Sequence, residues 1–144
     1  MSYKGKFSPK HPEKYSGDAA KIVFRSLMEL RAMKYFDENS NILAWNSEEV
    51  IVPYRSKVDG RMHRYFPDFV IAFKDETTGS VRTIMIEVKP KAQTLPPKQK
   101  KRNTSKYIYE VKRWGVNTSK WEAAETFCES RGWEFLFLTE QQLS

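Results

Sequence analysis

Asp68, Glu87 and Lys89 are charged residues set in strand-like apolar runs, where a plain core strand would carry none. Asp68 follows Pro67 and precedes Phe69-Val70-Ile71-Ala72-Phe73. Glu87 and Lys89 interrupt the run Ile84, Met85, Ile86, Val88. Side chains alternate faces along a strand, so residues two apart point the same way. Glu87 and Lys89 therefore share a face with Thr83 and Met85, while Ile84, Ile86 and Val88 take the other. Asp68 shares its face with Val70 and Ala72. A lone carboxylate is expensive to bury. Two acids and a lysine converging at one sheet edge offset each other only in part. A hard divalent cation, Mg²⁺ or Mn²⁺, would complete the balance through oxygen ligands. Two carboxylates around such a cation are a donor set for hydrolysing a phosphodiester.

Pro67-Asp68, followed after an apolar strand by Glu87-Val88-Lys89, resembles the motif of the PD-(D/E)xK nuclease superfamily. The string His63-Arg64-Tyr65-Phe66-Pro67-Asp68-Phe69 is similar to TnsA-like endonucleases. So is Ser26-Leu27-Met28-Glu29-Leu30, where those enzymes supply a third acid from a helix. Over nearly its whole length, through Arg131-Gly132-Trp133-Glu134-Phe135, the chain resembles the head-completion nucleases of large tailed bacteriophages. TnsA-type proteins continue into a further C-terminal helical domain, which is not expected here.

The resemblance implies an α/β (α+β) fold with a restriction-endonuclease-like core, a mixed sheet flanked by helices. It implies a metal-dependent DNA endonuclease that trims packaged phage DNA during head completion, before tail attachment. Asp68 and Glu87 would ligate Mg²⁺ or Mn²⁺, with the Val88 carbonyl as a further ligand. Lys89 would position the attacking water or stabilise charge on it and on the phosphate. Glu29 would be a second-metal or outer acid. Ser26, His63, Lys91 and Gln93 are candidates for phosphate or water contacts, although His63 also reads as an exposed turn residue. Glu29 has a plainer reading too, as a surface acid paired with Arg25 one turn earlier, worth a few tenths of a kcal/mol. Two other functions share these features. One is a non-catalytic DNA-binding or capsid-associated protein on the same scaffold, which would need none of Asp68, Glu87 and Lys89. The other is a flap- or junction-resolving nuclease, which differs only in substrate shape.

The elements that must position these groups are legible in outline. Residues 1–17, with Lys4, Lys6, Lys10 and Lys14, read as an irregular basic arm, either a solvated tail or a phosphate contact. Residues 18–144 read as one nuclease domain. Asp18 is a candidate N-cap for a helix over about 19–37. One face of that helix would carry Ala20, Val23, Phe24, Leu27 and Leu30, and a second line Ile22, Ser26, Glu29, Met33 and Phe36. A short strand is expected over Glu49–Tyr54. Asp59-Gly60 would then turn the chain into the Asp68 strand, and Thr77-Thr78-Gly79-Ser80 into the Glu87 strand. That arrangement is three consecutive antiparallel strands after a helix.

Pro90 ends the Glu87 strand. From Lys89 to Arg113 there are nine Lys or Arg against one acid, Glu110. Lys98, Lys100, Lys101 and Arg102 are the expected contacts to a DNA backbone, the alternative being an exposed loop that is merely basic. The pattern predicts two helices, about 104–113 and about 117–130, the second stopped at Gly132. A final strand near Trp133–Leu138 is expected to lie parallel to a neighbour. Trp114, Trp121 and Trp133 read as core packing, and Cys128 as a small core residue.

The chain has 144 residues, 40% of them apolar and 14% aromatic, enough for a packed core. A net charge of +7 favours a polyanionic partner, double-stranded or branched DNA. Phage head or portal proteins are further expected partners. One cysteine and two distant histidines argue against disulfides and structural zinc. No apolar run approaches the ~20 residues of a bilayer span, so no membrane association is expected. The expected location is the host cytoplasm, with virion association.

Overall fold

A computed structural model of the protein describes residues 4–143. Four strands form the central sheet in the order β3-β6-β7-β8: β3 is Ile42–Ser47, β6 is Phe69–Lys74, β7 is Val81–Val88 and β8 is Glu134–Leu138. β6 runs antiparallel to both β3 and β7, and β8 lies parallel to β7. The parallel pair is the expected product of a helical crossover between β7 and β8.

The two faces of the sheet are covered differently. Phe69, Ile71, Ile84 and Ile86 pack against helix α1, Leu27–Glu38, through Ala32, Met33 and Phe36. Val70 and Met85 on the other face pack against Ala124 and Cys128 of helix α2, Ser105–Arg131. A separate hairpin, β4 (Val52–Arg55) with β5 (Met62–Tyr65), joins that second layer through Val52, Tyr54 and Tyr65. The result is the mixed sheet flanked by helices of the restriction-endonuclease-like core. Among the described residues, no helix is long and apolar enough to cross a membrane.

Several expectations need correcting. Asp18 does cap, accepting from the Ala20 amide at 3.0 Å, but only a single 3₁₀ turn, Ala19–Lys21. The β-branched pair Ile22-Val23 then favours extended chain: β2 (Val23–Phe24) pairs with β1 (Gly5–Lys6), and Ile22 is buried. α1 begins at Leu27, well after the expected start, capped by Ser26, whose hydroxyl accepts from the Glu29 amide at 3.1 Å.

The N-terminal segment is not an arm from Lys4 onward. Phe7 and Tyr15 enter the core beside Trp45. The Lys14 ammonium donates to the carbonyls of Phe36, Asp37 and Asn39 at 2.6, 3.0 and 2.8 Å. It thereby satisfies carbonyls that the end of α1 leaves open. Residues 1–3 of the expected arm lie outside the described residues.

The strand beside β6 is Ile42–Ser47, not the segment expected over Glu49–Tyr54, which supplies β4 of the outlying hairpin. Asp59-Gly60 turns that hairpin, Gly60 taking φ 70°, and does not lead directly into the Asp68 strand. The two helices expected after Thr104 are one helix of 27 residues. Residues near the expected gap have tertiary roles. A Cβ on Gly115 would sit 3.0 Å from Val58 Cγ2, so the glycine admits the Ser56–Val58 loop. Ser119 donates to the Gly115 carbonyl at 2.8 Å and accepts from the Lys57 amide at 3.0 Å. α2 ends at Gly132 in the left-handed conformation, as expected. Trp121 and Cys128 are buried; Trp114 and Trp133 are half-buried.

Candidate active site

Asp68 and Glu87 meet because of strand register. β6 and β7 pair Phe69 with Ile86 and Val70 with Met85, so the next step outward sets Asp68 opposite Glu87. Both side chains lie on the α2 side of the sheet, as the alternation of faces required. The register thus sets the two carboxyls side by side on that face. Glu87 is buried, and its Oε2 lies 3.9 Å from Lys89 Nζ. Asp68 Oδ2 accepts from the Val88 amide at 2.8 Å, which ties the first strand to the second at the site.

The electrostatics are those of an under-compensated pair. Burial first, and then the Glu87 charge, push the Asp68 carboxyl well above the usual carboxylate range, against the lowering effect of the Val88 amide. Burial also raises Glu29, opposed by the Arg25 backbone and the Arg25 charge. The Glu29 charge reaches Asp68, although α1 stands mainly on the opposite face of the sheet. Ser26 caps α1 by accepting from the Glu29 amide, and its hydroxyl donates to Glu29 Oε2 at 3.4 Å. The plain pairing of Arg25 with Glu29 gives way to an Arg25–Glu48 ion pair. Glu48 takes a left-handed backbone, φ 55°, and its amide donates to the Asp68 carbonyl at 3.3 Å.

The structure brings together Asp68, Glu87 and Lys89, with Val88 between the last two and Glu29 and Ser26 at the rim. Other sequence candidates have different neighbours. His63 sits in the outlying hairpin, 2.8 Å from Asp59 and stacked on Tyr54, so its ring is engaged there. The Lys91 amide donates to Glu140 at 3.0 Å. Gln93 lines a small cavity with Glu110, Arg113 and Trp114. Lys98, Lys100, Lys101 and Arg102 are exposed, the last three beside Lys106 and Tyr107 at the start of α2.

Two residues at the site were not read from the sequence as part of it. Tyr65 donates its phenol to Glu87 Oε1 at 2.7 Å, in a buried contact. Lys120 of α2 sets its ammonium 5.7 Å from the centre of the Tyr65 ring. Tyr65 carried a signal, standing three residues before Asp68 in the quoted string. Lys120 carried none, because its placement depends on α2 being continuous.

Among the described residues no three His, Cys, Asp or Glu converge to hold an ion by themselves. The donor set still fits Mg²⁺. That ion usually takes one or two carboxylates, keeps several waters and leaves positions for substrate phosphate. Two close carboxylates with one lysine leave a negative charge that a cation would satisfy.

Comparison with known proteins identifies the family. Residues 39–140 match the family described as TnsA-like endonuclease N terminal. The match includes Asp68, Glu87 and Lys89; Glu29 precedes it. The chain is 40% identical over 147 residues to the head completion nuclease of Enterobacteria phage T4, covering 99% of this chain and 95% of that one. No solved structure matches. The chain belongs to the TnsA-like endonuclease family.

Proposed function

We propose that this phage head-completion nuclease is a divalent-cation-dependent endonuclease that cuts DNA. Its activity would process the end of packaged DNA before tail attachment. The observation that carries the reading is the facing pair of half-buried Asp68 and buried Glu87, set opposite each other by the strand register with one ammonium group alongside. A protein that only bound DNA would have no use for so costly an arrangement. The +7 net charge supports a nucleic-acid substrate.

Asp68, Glu87 and the Val88 carbonyl are the groups that would hold Mg²⁺ or Mn²⁺. When bound, such an ion neutralises phosphate charge and lowers the pKa of a bound water. Lys89 extends from the same strand end and carries positive charge to the attacking water and the scissile phosphate. Tyr65 fixes one oxygen of Glu87, leaving the other toward Lys89. Glu29 acts from the rim as an outer acid, its orientation set by Ser26.

The test is to incubate the protein with linear, flapped and branched DNA, with Mg²⁺ and with EDTA. Cleavage should require the cation and disappear in Asp68→Ala, Glu87→Ala and Lys89→Ala while DNA binding and folding persist. An Asp68→Ala protein that nicks at the wild-type rate rules this site out.

A further inference from the structure

Ile108, Tyr109 and Val111, in the first turns of α2, are large apolar side chains left exposed. No residue between Ser105 and Val116 is buried, and the first buried position of the helix is Asn117. These turns extend about 18 Å at 1.5 Å per residue. At 100° per residue, Asn117, Trp121, Ala124 and Cys128 define the inward line. Ile108 and Lys112 lie opposite that line, Val111 and Tyr109 on its two flanks, and Arg113 nearer the inward side. Tyr109 is 62% exposed, the most exposed large hydrophobic residue among those described, with Ile108 at 42% and Val111 at 43%. Lys112 flanks Tyr109 on one side. On the other, Arg113 sets its guanidinium 5.6 Å from the ring centre.

Exposed rings and aliphatic chains between cations are the equipment of proteins that stack on or wedge apart bases. Charge selects the occupant: the segment leading into this face has nine cations and one acid between Lys89 and Arg113. The location is also right. Ala92 and Gln93, in the turn that follows Lys89, line the same cavity as Glu110, Arg113 and Trp114. The helix therefore stands beside the chain leaving the active-site strand.

We infer that the exposed face of residues 105–113, led by Tyr109, binds unpaired bases, so that the substrate is DNA with a junction between duplex and single strand. Lys106, Lys112 and Arg113 hold the backbone while Tyr109 stacks on a splayed base and Ile108 blocks re-pairing. The inference rests on the nuclease reading for its choice of nucleic acid.

Fluorescence anisotropy of the full chain in EDTA tests this, using a blunt duplex and the same duplex with splayed ends. Wild type should prefer the splayed DNA. Tyr109→Ala should lose that preference, weakening splayed-DNA binding by roughly 5- to 150-fold, the range for one base stacked on an aromatic ring. Tyr109→Phe should retain it, and Lys112→Gln should weaken both DNAs alike. Equal affinity for the two DNAs in wild type overturns the inference. So does a Tyr109→Ala protein that loses affinity for both equally, or one whose only change is loss of self-association in sedimentation. A wild type that prefers splayed ends but never cuts with Mg²⁺ removes the nuclease reading and leaves this one in place. Cutting without preference removes this one alone.

Discussion

The Tyr65 phenol and the Glu87 carboxylate form a buried hydrogen bond of 2.7 Å. It holds one oxygen of Glu87 and so determines how the other is presented beside Asp68 and Lys89. Groups that orient ion-binding side chains are commonly worth roughly 10- to 100-fold in affinity. Tyr65→Phe keeps the ring and removes only the donor. It should weaken Mn²⁺ binding, measured by calorimetry, by about tenfold or more. It should also cost about 1–3 kcal/mol of stability, since a buried charged acceptor loses its partner.

Asp68 gives a pH signature. Its carboxyl holds a proton more tightly in the fold than in the unfolded chain. Between the ordinary carboxylate range and its raised value, the folded state therefore binds more protons, and stability falls as pH rises. Urea unfolding in EDTA should show this decline above about pH 4, at no more than about 1.4 kcal/mol per pH unit. Asp68→Asn should remove most of it, and so should added Mg²⁺. An unchanged decline in Asp68→Asn would place its source elsewhere.

The basic loop predicts a salt effect. Replacing Lys100, Lys101 and Arg102 by Gln should lower DNA affinity and flatten its log–log salt dependence by about 0.9 for each phosphate no longer neutralised. Cleavage of bound DNA at low salt should continue. A slope identical to wild type would mean that the loop touches no backbone.

Lys14 closes the C-terminal end of α1 with three bonds to carbonyls. Lys14→Met keeps the aliphatic stem and deletes those bonds and a cation at the negative helix end. A loss of about 1–3 kcal/mol in denaturant unfolding is expected.

The Cys128 thiol is buried, and burial pushes it up to about 11. It should resist a thiol reagent in the native protein and react on unfolding. Rapid labelling of folded protein would contradict the packing of Cys128 against Met85.

What the sequence disclosed depended on the range of the interactions involved. The pairing of Asp68 with Glu87 was legible because alternation and a short turn are local properties. The Ser26–Glu29 cap is visible in four residues, yet the helix start is misplaced on sequence grounds, because Asp18 is also a competent cap. Only the pairing of β1 with β2, a contact across the chain, decides between them. Likewise the two helices expected over about 104–113 and 117–130 are one, because the Ser56–Val58 loop packs on Gly115 and Ser119 near the expected gap. Ile42–Ser47 does not stand out as a strand, although Ile42 and Trp45 are buried. Its neighbour Glu49–Tyr54 offers a stronger β-branched run, and that run finds its partner in a separate hairpin.

The turn joining β6 to β7 has a consequence far from its own surface. Gly79 adopts φ 74°, and the Asp75 amide donates to the Ser80 carbonyl at 2.8 Å, fixing where the two strands begin to pair. Six matched positions later, that count sets one acid across from the other. One residue added or removed at the tip, slipping the pairing by a single step, would send them to opposite sides of the sheet. The loop is thus a spacer gauge for the chemistry, and a length change there would abolish cutting with every active-site residue still in the chain.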